Sequence, residues 1–308
     1  MNFFSKLSYI YVFLCVTTVY TASGADRISV VRDVQYLEAT RSEKLDIYMP
    51  ADLSVSNMHP GFVCIHGGGW MNLSKSEGRS VEICTTLAKA GFVALSIDYK
   101  MGPGSWPTDL YDCKNAVRFL KSHAKEYNVD PSKIAVGGGS AGGHLALMVG
   151  FTAGEDQFEP ADSVNLYPSI SSNVQAVIDM YGPSSVCITN KTHANLPYDE
   201  REAKIAERLA VFGATSDQSD VLRLASPINY ISEKSPPVLI LHGSIDPNVE
   251  LAQSINLSEK LKQYNVPYQL VIVKGAGHSF DFETWKQKPL VNDLRPLALG
   301  FLTKYLKL

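Results

Sequence analysis

The sequence lacks several patterns that mark large classes of protein. No run of lysine and arginine dominates any segment and the net charge is −3 at neutral pH, so the chain has no basic footprint for nucleic acid. No two cysteines have the Cys-x-x-Cys spacing of a zinc site, and we assign no metal. No internal repeat or low-complexity linker divides the 308 residues. These absences favour a single globular domain, for which the chain is long enough.

Long apolar runs are also scarce, and the clearest lies at the amino terminus. Lys6 precedes an apolar stretch from Leu7 to Tyr20, and small residues follow from Thr21 to Ala25. This order is typical of a signal peptide, and the stretch is short for a membrane span. We therefore expect residues 1–25 to be a signal peptide, residues 26–308 to form the mature domain, and the protein to be secreted or periplasmic without stable membrane insertion. Retention of the stretch as an anchor is the alternative.

Cysteines are few, and a chain of this size does not need disulfides to fold. Four remain beyond the predicted signal peptide: Cys64, Cys84, Cys113 and Cys187. We expect free buried thiols. Export would permit a bridge, but sequence alone does not choose among the three possible pairings.

Short apolar runs alternate with amphipathic stretches along the chain. The runs predict strands at Gly61–His66, Phe92–Tyr99, Ile134–Gly137, Val174–Met180, Val238–His242 and Tyr268–Val273. The stretches predict helices at Ser80–Lys89, Asp109–Tyr127, Ala141–Phe151, Leu251–Tyr264 and Asn292–Lys307. Such alternation indicates an α/β fold with a mostly parallel sheet and helices on both faces.

Two segments depart from this alternation. Alternating apolar residues between Ile28 and Met49 predict an antiparallel hairpin at the sheet edge. Polar residues interrupt the pattern at about 184–225, with a helical piece at Asp199–Val211. In a doubly wound sheet, such an insertion lies above the carboxyl ends of the strands. We therefore expect it to form a small cap over a substrate pocket.

The most specific motif is Gly-Gly-Ser-Ala-Gly at residues 138–142, between a predicted strand and a predicted helix. A serine on a sharp strand-to-helix turn is exposed for attack, and the positive end of the helix favours the negative charge that develops. A phosphate-binding glycine loop is the alternative, but the lysine of a P-loop is absent. Ser140 is therefore the candidate nucleophile.

A serine needs a base to take its proton and an acid to orient that base. Asp246 follows the strand that ends at His242, and His278 follows the next strand, which is the order expected after a nucleophilic serine. We predict Asp246 as acid and His278 as base. The competing candidates are His144 and His242, which we expect to be structural, and Asp281 and Glu283, which we expect on a surface loop.

The third motif is His-Gly-Gly-Gly-Trp at residues 66–70, directly after the first buried strand. Glycines leave backbone N–H groups free to converge on one point. We expect Gly68, Gly69 and Ala141 to form an oxyanion hole, and His66 to brace the loop by hydrogen bonding.

These motifs, with the His-Gly-Ser-Ile-Asp-Pro and Gly-Ala-Gly-His-Ser-Phe segments that contain Asp246 and His278, resemble the hormone-sensitive-lipase-like esterases. More closely, the chain resembles their exported bacterial relatives grouped with acetyl-xylan and feruloyl esterases, from about residue 45 to the end. The resemblance implies the α/β-hydrolase fold. It also implies a serine carboxylesterase that needs no cofactor and acts on acetyl or feruloyl esters of carbohydrates.

Two other functions are compatible with these motifs. An arylformamidase shares the glycine loop and the catalytic residues, and a non-catalytic ligand-binding protein shares the scaffold. The aromatic residues Trp70, Trp106, Tyr181 and Trp285 are candidates to line a pocket or to pack in the core. The insertion matches no motif, so the substrate and the oligomeric state stay open.

Overall fold

The structure is a computed structural model that describes residues 27–53, 58–160, 166–187, 196–217 and 219–308. The predicted signal peptide, residues 1–25, lies outside the described residues. Within those described ranges, no helix is both long enough and apolar enough to cross a membrane.

Eight strands of the described chain form one sheet in the order β1-β2-β4-β3-β5-β6-β7-β8. Strands β3 to β8 run parallel to one another, whereas β2 pairs antiparallel with β4 and with the edge strand β1. This topology confirms the predicted mostly parallel sheet and the hairpin at its edge. The strands are β1 (Ile28–Val34), β2 (Leu45–Pro50), β3 (His59–Ile65), β4 (Val93–Ile97), β5 (Val129–Gly139), β6 (Ala176–Met180), β7 (Val238–Gly243) and β8 (Tyr268–Val273).

Helices cover both faces because successive residues of a strand point to opposite sides of the sheet. On β3, Phe62 and Cys64 pack with helices α1 and α7, while Val63 and Ile65 pack with α2, α3 and α6. Burial on both faces explains why the parallel strands are continuous apolar runs. The helices are α1 (Gly78–Lys89), α2 (Thr108–Ser122), α3 (Ala141–Phe151), α4 (Tyr198–Val211), α5 (Asp220–Leu224), α6 (Leu251–Gln263) and α7 (Arg295–Leu306).

The connection between α2 and β5 differs from the prediction. Helix α2 ends at Ser122 rather than at Tyr127. Residues 123–128 form turns instead, and the last of them, Asn128, takes a left-handed conformation with φ of 51°. Strand β5 starts at Val129, ahead of the predicted start at Ile134. Its register with β3 shifts once near this start, where Pro131 has no N–H to donate.

All four cysteines of the described chain carry free thiols, as predicted. Cys64, Cys84 and Cys113 are buried, whereas Cys187 is half-buried. The core is therefore held by packing rather than by disulfides.

Candidate active site

Ser140 lies between the last residue of β5 and the first residue of α3. Its backbone has φ of 57° and ψ of −122°, a combination that residues with a side chain rarely adopt. The Ser140 N–H donates to the Met180 carbonyl oxygen at 2.9 Å, which ties the turn to β6. A Cβ atom at Gly142 would lie 2.0 Å from the Ile65 carbonyl oxygen, so glycine is required where α3 passes β3. The turn exposes the Ser140 hydroxyl at the carboxyl edge of the sheet.

Loops after β7 and β8 bring two side chains to this hydroxyl. His278 Nε2 lies 2.9 Å from Ser140 Oγ, and His278 Nδ1 lies 2.7 Å from Asp246 Oδ2. The Asp246 side chain is fully buried, and that of His278 is 10% exposed. Because a carboxylate only accepts hydrogen bonds, Nδ1 carries the proton and Nε2 is free to accept from the serine hydroxyl. The three residues form one hydrogen-bonded chain.

Backbone groups keep Asp246 ionised. Its Oδ1 accepts from the N–H of Asn248 at 2.8 Å and of Val249 at 3.0 Å. Burial raises the pKa of Asp246, but the hydrogen bond and the charge of His278 together with these N–H groups outweigh burial, and the pKa lies below its ordinary value. The carboxylate is therefore present at neutral pH to hold the His278 imidazole in one tautomer.

His242 is a packed residue, as predicted. Its Nδ1 accepts from the Ser254 hydroxyl at 2.7 Å, and its Nε2 donates to the Val249 carbonyl oxygen at 2.9 Å. Burial lowers the pKa of His242, so the ring is neutral. Its Nε2 also lies 3.5 Å from Asp246 Oδ2, so His242 packs beside the Asp246 carboxylate.

His144 is also structural, on the first turn of α3. Its Nδ1 accepts from Trp70 Nε1 at 3.2 Å, and its Nε2 donates to the Ala225 carbonyl oxygen at 2.7 Å. Burial lowers the pKa of His144 to about 4. Both nitrogens are therefore occupied and the ring stays neutral.

Asp281 is not on the surface, and that prediction was wrong. Its side chain is buried, and its carboxylate accepts from the N–H of Glu283 at 2.7 Å and from the N–H and hydroxyl of Thr284 at 2.5 and 2.8 Å, which compensates the burial. These bonds build the turn into the small hairpin of β9 (Thr284–Trp285) and β10 (Lys288–Pro289). Glu283 pairs with Arg295 instead. His278 instead has Asp246 and Ser140 as its hydrogen-bond partners.

The glycine loop after β3 lies directly against Ser140. A Cβ atom at Gly67 would lie 3.3 Å from Ser140 Cβ. Gly68 has φ of 106°, and a Cβ there would lie 1.9 Å from the Asn72 carbonyl oxygen, so a side chain at this position is excluded. Gly69 also has positive φ, at 63°. Ala141 is the first residue of α3, next to the hydroxyl.

His66 does not reach the serine. Its Nδ1 donates to the Gly67 carbonyl oxygen at 2.7 Å, and its ring stacks on Tyr99 at 4.5 Å between centroids. Burial lowers the pKa of His66. His66 thus stabilises the glycine loop through its hydrogen bond to Gly67.

Two aromatic residues hold the His278 loop, a role that the sequence did not indicate. The Tyr181 hydroxyl donates to the Phe280 carbonyl oxygen at 2.6 Å, and its ring meets His278 edge-on at 4.8 Å. Trp285 Nε1 donates to the His278 carbonyl oxygen at 2.9 Å. Trp106 instead packs in the core against Phe158 and Phe212.

Ser140 and His278 open into a cavity of about 470 Å³, a volume typical of small-molecule sites. Ile65, Ile83 and Tyr181 contribute apolar lining. The insertion supplies another wall through side chains of α4 and the residues just before it: Leu196, Glu200, Lys204, Glu207 and Arg208.

A serine on the turn after a central parallel strand, with a carboxylate and a histidine from the loops of two later strands, places this protein among the α/β-hydrolases. The chain belongs to the BD-FAE family, whose model matches residues 45–261.

Curated and solved proteins are similar to it over most of its length. The probable carboxylic ester hydrolase LipM of Mycobacterium tuberculosis (strain ATCC 25618 / H37Rv) is 30% identical over 251 residues, which are 81% of this chain and 56% of LipM. The chain thus spans a little over half of that relative.

Among solved structures, a truncated carbohydrate esterase from gut microbiota superposes with a TM-score of 0.73 at 26% identity, covering 96% of this chain and 99% of that one. Propionate-bound esterase 2 of Thermogutta terrifontis gives a TM-score of 0.69 at 28% identity, covering 89% and 93% of the two chains.

Proposed function

We propose that this protein is a serine carboxylic-ester hydrolase that acts through an acyl-enzyme. The observation that carries the proposal is the hydrogen-bonded chain from Ser140 Oγ through His278 to Asp246, at 2.9 and 2.7 Å, beside a cavity. A nucleophile, a base and an orienting acid within hydrogen-bond reach are what acyl transfer requires. No cofactor is needed.

In this mechanism Ser140 Oγ attacks the ester carbonyl carbon while its proton passes to His278 Nε2. The tetrahedral intermediate collapses as His278 returns that proton to the leaving alcohol, which gives the acyl-enzyme. Water then attacks the acyl carbon, again losing a proton to His278, and the acid leaves. Asp246 stabilises the imidazolium in both halves.

The carbonyl oxygen becomes negative in the intermediate and needs donors. We assign this role to the backbone N–H groups of Gly68, Gly69 and Ala141. The close approach of the glycine loop to Ser140 supports the assignment, as does the position of Ala141 at the positive end of α3. Each such donor contributes about 10² to 10³-fold to kcat.

The proposed substrates are short-chain esters, acetyl above all, or feruloyl esters of carbohydrates. Two similar structures support this choice, one described as a carbohydrate esterase and one with bound propionate. The cavity of about 470 Å³ has room for a short acyl group together with part of a sugar.

Hydrolysis of 4-nitrophenyl esters tests this proposal. We expect turnover of the acetyl to butyryl esters and a fall in kcat/KM for chains of eight or more carbons, because the volume of about 470 Å³ has to accept the alcohol part as well as the acyl chain. Methyl ferulate and acetylated xylan rank the natural acyl groups, and an aryl formamide tests amide hydrolysis. A folded protein that turns over the formamide alone, or none of these esters, contradicts an esterase.

We also propose export, based on the amino-terminal pattern of residues 1–25. Expression of the full chain in a bacterial host is expected to give a periplasmic or secreted protein that begins close to residue 26. Amino-terminal sequencing of the purified protein checks this. An intact start at Met1 in the membrane fraction would favour the anchor.

A further inference from the structure

Arg208 lies in the last turn of α4, half-buried, in the lining of the cavity that contains Ser140 and His278. In the part of the chain that the structure describes, two other cations line this cavity, and each already has a carboxylate partner. Lys204 pairs with Glu207 at 2.7 Å, and Arg79 pairs with Glu77 at 2.8 Å. Among the described residues, Arg208 has neither an ion pair nor a side-chain hydrogen bond.

Capping of its own helix does not explain this cation. Positive side chains near a helix carboxyl end often bond the last carbonyl groups. Here the carbonyl oxygens of residues 208–211 all accept from backbone N–H groups already: those of Phe212 at 3.4 Å, Ala214 at 2.8 Å, Gly104 at 2.8 Å and Trp106 at 3.2 Å, respectively. The Arg208 guanidinium therefore does not cap the carboxyl end of α4.

The electrostatic surroundings leave the charge of Arg208 uncompensated. Burial lowers the pKa of Arg208 to about 10, no residue that the structure describes raises it, and the group stays charged at neutral pH. His144, whose pKa is lowered by burial and by the charge of Arg208, is neutral. The cavity carboxylate of Glu200 lies two turns earlier on α4, roughly 12 Å away along the helix axis.

We propose that Arg208 binds a carboxylate of the substrate, so that the ester cleaved at Ser140 belongs to a molecule with a free acid group. This inference rests on the proposed esterase function. A guanidinium binds a carboxylate through two parallel hydrogen bonds. A monoanion fits better than a phosphate, because only one of the three cations in the described lining of the cavity is unpaired. The acid belongs either to the acyl part, as in a dicarboxylic monoester, or to the alcohol part, as in an acidic sugar.

Matched ester pairs test the proposal and separate the two positions. For the acyl side, mono-4-nitrophenyl glutarate is compared with neutral 4-nitrophenyl pentanoate. For the alcohol side, 4-acetoxybenzoate is compared with neutral 4-acetoxybenzamide. In one of the pairs, we expect the wild-type enzyme to prefer the anionic ester. In the same pair, we expect Arg208→Gln to lower the anion-to-neutral ratio of kcat/KM by about 10 to 100-fold. Arg208→Lys should retain part of the preference.

Lys204→Gln is the matched control, since it removes a positive charge one turn earlier on the same helix. It should alter the ratio by less than about threefold, because the Lys204 ammonium is paired with Glu207 and the side chain is 52% exposed. If Arg208→Gln leaves the anion-to-neutral ratio of kcat/KM unchanged for both pairs, the inference is overturned. Turnover of the neutral esters would still support the esterase function in that case.

Binding of the amide counterparts, N-(4-nitrophenyl)glutaramic acid and 4-acetamidobenzoate, gives a readout that needs no turnover. Calorimetry should show the Kd of one of them raised at least tenfold in Arg208→Gln relative to wild type. Equal affinity of wild type and variant for both amides also overturns the inference, whatever the enzyme does with esters.

Discussion

Replacement of Ser140 by alanine is expected to lower kcat for 4-nitrophenyl acetate by about 10⁵ to 10⁶-fold, a loss of the size seen when a catalytic serine is removed. The nucleophile disappears, whereas the glycine loop and the cavity remain. The fold should persist because alanine has the same Cβ as serine at the strained φ of 57°. Steady-state kinetics and thermal unfolding of the purified variant check both expectations.

The matched control is Ser80→Ala, which removes a buried serine that lines the same cavity from α1. We expect its kcat to stay within about tenfold of wild type, as for a change away from the reacting atoms. A Ser140→Ala protein that retained most of the activity would disprove the proposed nucleophile. Equal losses in the two variants would point to cavity shape instead.

Asp246→Asn is expected to lower kcat by about 10⁴-fold with little change in KM, as an amide in the acid position of such a triad does. The side-chain oxygen of asparagine must stay where Oδ1 accepts from the N–H groups of Asn248 and Val249. The amide NH₂ then faces His278 Nδ1, which has to become an acceptor. The imidazole proton moves to Nε2, and the base no longer accepts the serine proton.

Asp281→Asn is the control for this variant, because Asp281 is also a carboxylate with a buried side chain and follows His278 closely in the sequence. Its hydrogen bonds to Glu283 and Thr284 maintain a turn, so the change should lower the free energy of unfolding by about 1 to 3 kcal/mol. Its effect on kcat should be less than tenfold. Greater loss of kcat in Asp281→Asn than in Asp246→Asn would reverse the assignment of the acid.

Much of the fold was predictable because a buried parallel strand is apolar on both faces. The six predicted strands of the parallel part all occur, and the hairpin of β1 and β2 lies at the sheet edge. The ends of elements were predicted less accurately where a turn sets them. Helix α2 ends at Ser122, earlier than its amphipathic pattern indicated, and the turn that follows includes Asn128 with positive φ. The local pattern of apolar residues indicates which face of a helix or strand is buried. It does not indicate where the chain must turn to reach the next element that it packs against.

The sequence by itself determined the local chemistry: a serine at a strand-to-helix turn, a glycine loop after β3, and an aspartate and a histidine after two later strands. Each is a short-range pattern fixed by backbone sterics and strand order. Only the tertiary structure decided which groups meet across long separations. It buried Asp281 in a turn, placed Tyr181 and Trp285 behind His278, and brought Arg208 of α4 into the cavity of Ser140. Such contacts depend on how helices pack on the sheet, and no local pattern encodes that packing.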